Sequence, residues 1–257
     1  MPAARLAGTL IEPEWPVPGR VRALVTTRAG GVSEPPYESF NLAYHVGDAA
    51  ARVRRNRRRL LTIAGIDRVQ WLDQEHGRCV LAASADTAAG GPITADASWT
   101  MSRNLGLAVL VADCVPLLLA NEDATLVAVV HCGWRGTVAG IVGATLDALP
   151  ETPGRLVAWL GPGVCADCYE VGAEVRDAID PDERQAVLVD EGPASGGDRK
   201  WRMDLPALIV ARLRRSGVRR IVSSSACTIC DSRYYSYRRD GRTGRFAALI
   251  WLEGSGH

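Results

Sequence analysis

Short apolar runs, each bounded by Gly, Asp or Pro, recur along the chain. They are rich in Val, Ile, Leu and Ala and are shorter than most helices, so they predict buried β-strands. The predicted strands are Val21–Thr27, Leu105–Ala112, Thr125–His131, Arg155–Leu160, Arg219–Ser223 and Phe246–Leu252.

Three longer stretches between these runs carry helix signals. Asp48–Ala64 has an acidic start and stops before a glycine, and Asp204–Ser216 combines a capping Asp with a proline in its first turn. A third helix is predicted over Gly136–Leu149. Because strands and helices mix without regular alternation, we expect an α+β fold with layered mixed β-sheets and flanking helices, rather than a doubly wound parallel sheet.

No segment of the chain has the length and composition of a domain linker. Two glycine-containing stretches, Asp86–Pro92 and Asp190–Lys200, predict surface loops that are too short to separate domains. No repeat of fixed period and no low-complexity block is visible. We therefore predict one domain over residues 1–257, a length that can bury a substantial core.

The charge balance favours small ligands over polyanions. Thirty basic residues nearly cancel 29 acidic ones, so we expect neither nucleic acid nor an anionic membrane surface as a partner. The densest basic segment, Arg52–Arg59, has six arginines in eight positions. On a helix these arginines spread around most of the circumference and leave Val53 and Leu60 on the buried side, which favours a solvated face over a phosphate patch.

Hydropathy along the chain gives no indication of export or membrane insertion. The N-terminal residues lack the apolar run of a signal peptide, and no stretch approaches the ~20 apolar residues of a membrane span. The expectation is a cytoplasmic protein, and we expect it to be a monomer.

The cysteines of the chain allow two interpretations. An odd count of seven, without an export signal, favours reduced thiols over a disulfide framework. Cys165/Cys168 and Cys227/Cys230 have CxxC spacing and together could form a four-cysteine structural zinc site. The 58 residues between the pairs exceed the ~15–20 usual in zinc ribbons, so packed or peripheral thiols are the favoured interpretation.

Three residues in separate motifs indicate metal chemistry more directly. His76 lies in Gln-Glu-His-Gly, Cys114 in Ala-Asp-Cys-Val-Pro and His131 in Val-Val-His-Cys-Gly-Trp-Arg-Gly. Two imidazoles and one thiolate fill three positions of a tetrahedral zinc site and leave the fourth for water or substrate, as in catalytic sites. Histidine is scarce, since the chain has four, and the other two are His45, in a loop-like segment, and His257.

The positions of these residues support the metal hypothesis only in part. Cys114 and His131 each follow an apolar run, so on neighbouring strands their side chains would emerge at one sheet edge, while His76 would enter on a loop. Their spacings match no local zinc motif, and a core cysteine with two ordinary hydrogen-bonded histidines is the alternative. Asp48 and Asp113 offer carboxylates for general-base work or for orienting a ligand.

A second polar cluster lies near the end of the chain. Tyr234–Arg245 combines tyrosines, glycines and arginines, which suit an anionic or planar ligand because Arg binds phosphate oxygens bidentately and Tyr stacks on bases. A tight hairpin turn at Asp240-Gly241 with exposed arginines is the alternative. Thr26–Ser33 leaves a similar choice between a glycine-rich anion site and a turn after a strand.

Distinctive motifs follow one another in a fixed order between about residues 20 and 250. They are Thr27-Arg-Ala-Gly-Gly-Val-Ser, Asn41-Leu with His45-Val-Gly-Asp, Gln74-Glu-His-Gly, Ala112-Asp-Cys-Val-Pro, His131-Cys-Gly-Trp-Arg-Gly, Gly161-Pro-Gly with Cys168-Tyr-Glu-Val, and Ser236-Tyr-Arg-Arg-Asp-Gly-Arg-Thr-Gly-Arg. In this combination they resemble the laccase-domain family, also called multicopper polyphenol oxidase-like, which includes purine nucleoside phosphorylases and peptidoglycan-editing factors. Cys132 departs from the family pattern, which more often has Ala there, and adds a thiol without removing a ligand.

The resemblance implies a fold like that of the cytotoxic-necrotizing-factor-like cysteine hydrolases, and a zinc ion on His76, Cys114 and His131, which would also be the catalytic residues. It further implies phosphorolysis of adenosine, inosine, guanosine and methylthioadenosine, together with adenosine deamination. Deamination requires an activated water at C6 of the base, whereas phosphorolysis requires phosphate under C1′ of the ribose. The candidate substrate-binding residues are Arg28, Asn41, Arg135 and Arg238.

Three rival functions remain open at this point. Copper-dependent phenol oxidation would have to use a single copper in the proposed zinc site, because four histidines cannot build a multicopper centre. A Cys114 thiolate with a histidine base, or a zinc-activated water, would suit the family's peptidoglycan-editing role, the hydrolysis of UDP-MurNAc-L-Ser precursors. The third is a binding protein without turnover, in which the metal only stabilises the fold.

Overall fold

Residues 10–193 and 197–254 are described by a computed structural model, in which four β-sheets are combined with helices. The strands are β1 (Leu10–Ile11), β2 (Val21–Thr26), β3 (Arg68–Gln70), β4 (Leu72–Asp73), β5 (Val80–Ala82), β6 (Ile93–Thr94), β7 (Ala97–Thr100), β8 (Leu105–Val111), β9 (Val115–Asn121), β10 (Val127–Cys132), β11 (Leu156–Leu160), β12 (Glu170–Val171), β13 (Leu188–Pro193), β14 (Arg199–Met203), β15 (Arg220–Ser223) and β16 (Phe246–Leu252). The α-helices are α1 (Ala50–Ala64), α2 (Ala85–Ala89), α3 (Trp134–Ala139), α4 (Ile141–Ala148), α5 (Ala173–Ala178), α6 (Pro181–Val187), α7 (Leu205–Arg215) and α8 (Tyr237–Asp240). Short 3₁₀ turns cover Pro153–Arg155 and Ala166–Cys168.

The two large sheets pack face to face. One has five strands in the order β1-β2-β16-β8-β3, and the other has six in the order β15-β11-β9-β10-β7-β5. Val109 and Ile250 of the first sheet share one buried core with Leu118 and Val129 of the second. Both sheets are mixed, because β3 pairs parallel with β8 and β15 pairs parallel with β11, whereas β9 and β10 are antiparallel.

Helices cover the outer faces of this sandwich. On the six-stranded sheet, Ile141 of α4 and Leu208 of α7 are buried against strand residues such as Leu119. On the five-stranded sheet, Leu60 of α1 packs in a third core with Leu249. The layers therefore run helix, sheet, sheet, helix, which confirms the predicted α+β fold with layered mixed sheets.

Most predicted elements are present, and one helix differs. All six predicted strands appear within two residues of their expected ends, and α7 begins where Asp204 accepts a hydrogen bond from the Ala207 amide at 2.8 Å. The single helix predicted over Gly136–Leu149 is instead two helices. Gly140 separates them with a φ of 97°, a conformation that ends the first helix and that glycine adopts at little cost.

Both predicted surface loops were wrong in part. Within Asp86–Pro92 the chain forms most of α2, because the Ser84 and Thr87 side chains cap its start reciprocally. Within Asp190–Lys200 the chain forms the end of β13 and the start of β14, which pair as antiparallel strands with Asp190 opposite Trp201. Residues 194–196 of that prediction lie outside the described residues.

The alternative of a tight hairpin turn at Asp240-Gly241 is also wrong. The segment instead forms α8, a single helical turn. The Ser236 hydroxyl caps it by accepting a hydrogen bond from the Arg239 amide at 3.1 Å.

Helix α1 carries the arginine-rich segment and is the longest helix of the described ranges, with 15 residues. Val53 and Leu60 are buried, while most of the arginines between them are exposed, so the predicted solvated face is confirmed. Arg57 is the exception, since its guanidinium lies 3.8 Å from the centre of the Trp71 ring. No helix in residues 10–193 and 197–254 combines the length and apolar character needed to cross a bilayer.

Candidate active site

His76, Cys114 and His131 meet at one end of the six-stranded sheet. Cys114 directly precedes β9, and His131 on β10 lies opposite Pro116 of that strand. His76 lies on the loop between β4 and β5. The three ligand atoms lie within 4.8 Å of one another, and Cys114 Sγ is 3.8 Å from His76 Nε2. The structure thus brings the three predicted metal ligands together.

The backbone around these ligands is unusual. Asp113 has a φ of 94° and His76 a φ of 59°, in the left-handed region that non-glycine residues adopt at an energetic cost. At Asp113 the chain passes from β8 in one sheet to β9 in the other within three residues. Such conformations persist where the surrounding structure fixes them, and here they direct Cys114 and His76 toward each other.

Two glycines allow the start of α3 to approach the ligands. A Cβ atom on Gly133 would lie 2.7 Å from His76 Cδ2 and 3.1 Å from Cys114 Sγ. A Cβ atom on Gly136 would lie 2.9 Å from the Gly77 carbonyl oxygen. Any larger residue would have to displace a ligand or its loop, which explains both glycines in His-Cys-Gly-Trp-Arg-Gly.

Asp96 is absent from the candidates found in the sequence, yet it organises the site. It is buried, and its Oδ1 lies 2.8 Å from His131 Nδ1. The same carboxylate accepts hydrogen bonds from the amides of His76 at 3.0 Å and Gly77 at 2.7 Å. Although burial acts in the opposite direction, these bonds lower the pKa of Asp96. A carboxylate on Nδ1 leaves Nε2 of His131 free to bind a metal.

Without a bound cation, Cys114 and His131 form an ion pair. Burial alone would raise the pKa of Cys114, but the charge and hydrogen bonds of His131 and His76 lower it to about 6. Burial likewise opposes the charge on His131, but Cys114 and Asp96 raise the pKa of His131 to about 9. The neighbouring Cys132 stays a neutral thiol at pH 7, because burial and the Cys114 charge raise its pKa. Cys114 therefore supplies the thiolate of the site.

The ligands open into a cavity of about 430 Å³, which falls in the ~300–1,000 Å³ range of small-molecule sites. The three arginines that line it each lie over an aromatic ring that also lines it. The cavity therefore combines positive charge for an anion with flat apolar faces for a planar ligand. The pairs are Arg135 over Trp134, Arg238 over Tyr169 and Arg245 over Tyr237, with guanidinium-to-ring distances of 4.3, 5.1 and 5.8 Å.

The four predicted substrate-binding residues divide into two groups. Arg135 and Arg238 line the cavity, and Arg28 and Asn41 are not among its lining residues. Arg28 donates to Glu38 Oε1 at 3.1 Å. Asn41 is fully buried, and its Oδ1 accepts a hydrogen bond from the Arg245 amide at 2.9 Å. Asn41 thus holds in place the backbone of a residue that does line the cavity.

The two acidic residues noted in the sequence also separate. Asp113 lines the cavity, and its carboxylate accepts hydrogen bonds from the Thr228 hydroxyl and the Arg238 amide, both at 2.7 Å. Asp48 instead accepts hydrogen bonds from Ser33 at 2.6 Å and Asn41 at 3.0 Å, outside the cavity lining. Asp113 therefore fixes the wall of the site, and Asp96 supports His131.

His45 and Arg245 also line the cavity; His45 was not a candidate in the sequence, and Arg245 was only the last residue of the Tyr234–Arg245 cluster. Burial, followed by the charge of Arg245, lowers the pKa of His45, so this imidazole tends to be neutral. Both residues belong to motifs that carry the family resemblance, which is the signal that could have identified them.

The two CxxC pairs also converge. The sulfurs of Cys165, Cys168, Cys227 and Cys230 lie within 4.8 Å of one another and form a second group with metal-ligand geometry. The 58 residues between the pairs therefore do not keep them apart in the fold, and the zinc site and the packed or peripheral thiols both stay predictions. Parallel pairing of β11 with β15 brings the two segments together.

Comparisons with known proteins agree with the order of the motifs. Residues 22–253 match the family model described as multi-copper polyphenol oxidoreductase laccase. A protein of Pseudomonas aeruginosa named purine nucleoside phosphorylase is 42% identical over 244 residues, which cover 95% of this chain and 98% of that protein. Purine nucleoside phosphorylase YfiH of Escherichia coli is 40% identical over 248 residues, with the same coverage.

Solved structures share the fold over nearly the whole chain. A Neisseria meningitidis protein superposes with a TM-score of 0.89 at 40% identity, covering 96% of this chain and 100% of that one. YlmD from Geobacillus stearothermophilus has a TM-score of 0.80 at 30% identity, with coverage of 92% and 93%. The chain therefore belongs to the multi-copper polyphenol oxidoreductase laccase family, whose members similar to it include proteins named purine nucleoside phosphorylase.

Proposed function

We propose that this protein is a zinc-dependent purine nucleoside phosphorylase that acts on adenosine, inosine, guanosine and methylthioadenosine, with adenosine deamination as a second activity of the same cavity. One observation carries the proposal: a cavity of small-molecule size is lined both by His76, Cys114 and His131 and by arginines stacked on aromatic rings. The names of relatives at 40–42% identity support phosphorolysis as the main reaction.

The donor set fits a zinc ion. Ligand atoms of a tetrahedral zinc site stand roughly 3.3–3.8 Å apart for bonds of ~2.0–2.3 Å, and Cys114 Sγ is 3.8 Å from His76 Nε2. Bound there, zinc would supply Lewis-acid polarisation at one open coordination position. Copper binds such donors with higher intrinsic affinity, so we assign any phenol oxidation to copper that has replaced zinc in this site.

The arginines and the aromatic rings of the cavity would bind different parts of the reactants. Arg135 and Arg238 bind phosphate, while the rings beneath them, Trp134 and Tyr169, offer flat surfaces to the purine. In phosphorolysis the bond from C1′ to the purine nitrogen breaks as a bond from C1′ to a phosphate oxygen forms. Phosphate and purine must therefore lie on opposite sides of the ribose.

Arg28 and Asn41 act as positioning residues in this proposal. Asn41 fixes the backbone of Arg245. Arg28 pairs with Asp240 at 3.8 Å, at the end of the helix that carries Arg238. Asn41 thus helps to position Arg245, and Arg28 helps to position Arg238, without lining the cavity themselves.

A second function is favoured by the Cys114, His131 and Asp96 arrangement. Cys114 would be the nucleophile, His131 the base and Asp96 the carboxylate that orients the base, as in a thiol hydrolase. In that reaction the Cys114 sulfur would attack the amide carbon of a UDP-MurNAc-L-Ser precursor and form a thioester, while His131 would protonate the amine of the departing L-serine. Water would then hydrolyse the thioester and release the acid and the Cys114 thiolate. A fold like that of the cytotoxic-necrotizing-factor-like cysteine hydrolases, which we predict from the sequence, would be consistent with this alternative.

Turnover of adenosine by zinc-loaded protein, with and without phosphate, tests the proposal. Ribose 1-phosphate that forms only with phosphate supports phosphorolysis, and inosine that forms without it supports deamination. Cys114→Ala and His76→Ala should abolish both activities, and unchanged activity in these variants would exclude the assigned site. Hydrolysis of the muropeptide precursor that persists in a strong chelator would favour the thiol mechanism.

The setting we propose is a single domain over residues 1–257 that works as a cytoplasmic monomer. One chain supplies both the metal ligands and the arginine-bearing wall of the cavity, so assembly of the site does not require a second copy. We expect no nucleic-acid or membrane partner. Light scattering of the purified protein and cell fractionation test these expectations.

A further inference from the structure

Four cysteines from two distant segments form a compact group, which we call the four-cysteine cluster. Cys165 and Cys168 flank the 3₁₀ turn after β11, and Cys227 and Cys230 lie in the segment after β15. Their sulfur atoms all lie within 4.8 Å of one another, and those of Cys168 and Cys230 are 3.4 Å apart. The cluster shares no residue with the His76, Cys114 and His131 group.

The sheet explains why the two segments meet. β11 and β15 are parallel neighbours, with Leu160 opposite Ser223 at their ends, so both segments leave the sheet at the same edge. Beyond that edge, Gly163 and Cys227 form a parallel bridge, and the Thr228 amide donates to the Gly163 carbonyl at 3.0 Å. Backbone hydrogen bonds therefore hold the two CxxC turns against each other.

The polar surroundings suit thiolates. The Cys165 amide points at the Cys227 sulfur at 3.4 Å, and amides directed at sulfur stabilise its charged form. The Arg239 guanidinium donates to the carbonyl groups of Thr228 and Ile229, at 2.7 and 3.0 Å, and so places a positive charge on the second turn. Cys230 is exposed, which leaves an entry path for an ion.

The sulfur spacing suits one tetrahedral ion. Four thiolates on zinc stand about 3.8 Å apart for Zn–S bonds of ~2.3 Å, within the 4.8 Å limit of this cluster. An iron–sulfur cluster would hold them further apart, because several iron atoms lie between the thiolates. Soft sulfur ligands select zinc over magnesium or calcium. Four protein ligands leave no position for substrate, which is the mark of a structural site.

We propose that Cys165, Cys168, Cys227 and Cys230 bind one structural zinc ion that fastens the segments after β11 and β15 to each other. The ion fixes one wall of the cavity and takes no part in bond making.

Two contacts connect the cluster to the cavity. Tyr169 directly follows Cys168 and lines the cavity beneath Arg238. Thr228, inside the second CxxC turn, donates its hydroxyl to Asp113 Oδ1 at 2.7 Å, next to Cys114. Loss of the structural ion should therefore loosen the wall that positions substrate.

Metal content of the purified full-length protein tests this proposal. Elemental analysis should find about one zinc per chain in the four-cysteine cluster of the His76→Ala/Cys114→Ala variant. Cys168→Ser/Cys230→Ser should hold about one zinc fewer than the unaltered protein. Cys79→Ser changes an exposed cysteine outside both clusters and should lose none. Equal zinc contents in the unaltered and Cys168→Ser/Cys230→Ser proteins would overturn the proposal.

This comparison also separates the two metal sites. If the histidine site binds no zinc, the only zinc of the unaltered protein is the ion that is lost in Cys168→Ser/Cys230→Ser. That result would support the structural site and refute the proposed function. If zinc is lost only in the His76→Ala/Cys114→Ala variant, the proposal of a structural site is refuted and the proposed function is unaffected.

A second measurement does not depend on how the cysteine variant folds. Cobalt(II) added to the His76→Ala/Cys114→Ala protein, in which the four-cysteine cluster is complete, should give the intense visible bands and sulfur charge-transfer absorption of a tetrahedral tetrathiolate site. Absence of these bands would refute the proposal. So would disulfides in the cluster, detected as fewer than six free thiols, the seven cysteines of the chain minus Cys114, in denatured and chelated protein prepared without reductant.

Discussion

The two groups of candidate metal ligands in this protein differ in how many ligands they offer. His76, Cys114 and His131 offer three ligands and open into a cavity, whereas the four-cysteine cluster offers four ligands. The first is built on paired strands, with Asp96 orienting one histidine. The second is built on two turns held by backbone hydrogen bonds. If both groups bind zinc as proposed, coordination number, more than ligand type, separates a site for chemistry from a site for stability.

The largest contrast should come from Cys114→Ala against Cys168→Ser/Cys230→Ser. The first substitution removes a ligand of the open site, so phosphorolysis should fall below about 1% of the unaltered rate while the melting temperature changes little. The second should lower the melting temperature by several degrees, on the order of 5 °C or more, because a structural ion contributes directly to folding. Differential scanning calorimetry and a ribose 1-phosphate assay on both variants measure the contrast. Equal loss of stability in both would remove the distinction.

Asp96→Asn should weaken the open site alone. The amide cannot replace the carboxylate on His131 Nδ1, and loss of such a partner typically lowers metal affinity or activity by ~10–100-fold. Zinc affinity measured by competition with a chromophoric chelator should show this loss, while the zinc of the four-cysteine cluster is retained. Asp67→Asn changes an exposed carboxylate outside the cavity lining; it is the control and should leave both affinities unchanged.

Gly133→Ala tests the close approach of α3 to the ligands. The added Cβ would lie 2.7 Å from His76 Cδ2, so we expect the imidazole to shift and zinc affinity at the open site to fall about tenfold. Gly143→Ala in α4 is the matched control, because its Cβ meets nothing within 4 Å. It should be neutral or should stabilise the protein by ~0.5–1 kcal/mol. A normal zinc affinity in Gly133→Ala would show that the ligand geometry does not depend on this contact.

Arg238→Ala should raise the KM for phosphate about tenfold and change kcat less, since one charge-assisted contact contributes roughly 1.5 kcal/mol. Arg54→Ala, on the exposed face of α1, serves as the control and should leave KM unchanged. An increase confined to kcat would instead give Arg238 a role in the transition state.

The smallest effect concerns the thiolate of the open site after zinc is removed. Because the pKa of Cys114 is about 6, its thiolate forms as the pH rises through that value, and alkylation should already be fast at pH 7. Exposed Cys79, which lies outside both ligand groups, is the reference thiol of the same experiment. Mass spectrometry of chelated protein alkylated between pH 5 and 9 measures both profiles. Coincident profiles would show that His131 does not stabilise the thiolate.

Sequence reasoning succeeded where local pattern determines structure. The strands that carry His131 and precede Cys114 are apolar runs with clear ends, and α7 has a capping Asp and a glycine stop. His76, Cys114 and His131 could be singled out as candidate metal ligands because histidine is scarce and the residue types match zinc chemistry. None of these arguments required knowledge of distant contacts.

It failed where two distant segments determine the environment of a residue. Asp96 lies between alanines, and only the folded chain shows that it binds His131 and the loop of His76. Cys168 and Cys230 meet because β11 and β15 pair in parallel, and the spacing of cysteines along the sequence does not predict that pairing. The break at Gly140 was missed because the residues on both sides of it form helices.

Phosphorolysis by protein of known metal content shows whether the metal at the open site is required for turnover. Protein stripped of zinc and then reloaded should convert adenosine and phosphate to adenine and ribose 1-phosphate in equal amounts, and the rate should follow zinc occupancy of the His76, Cys114 and His131 site. Full turnover in protein whose open site is empty of metal, or no turnover when that site is filled, would contradict the account.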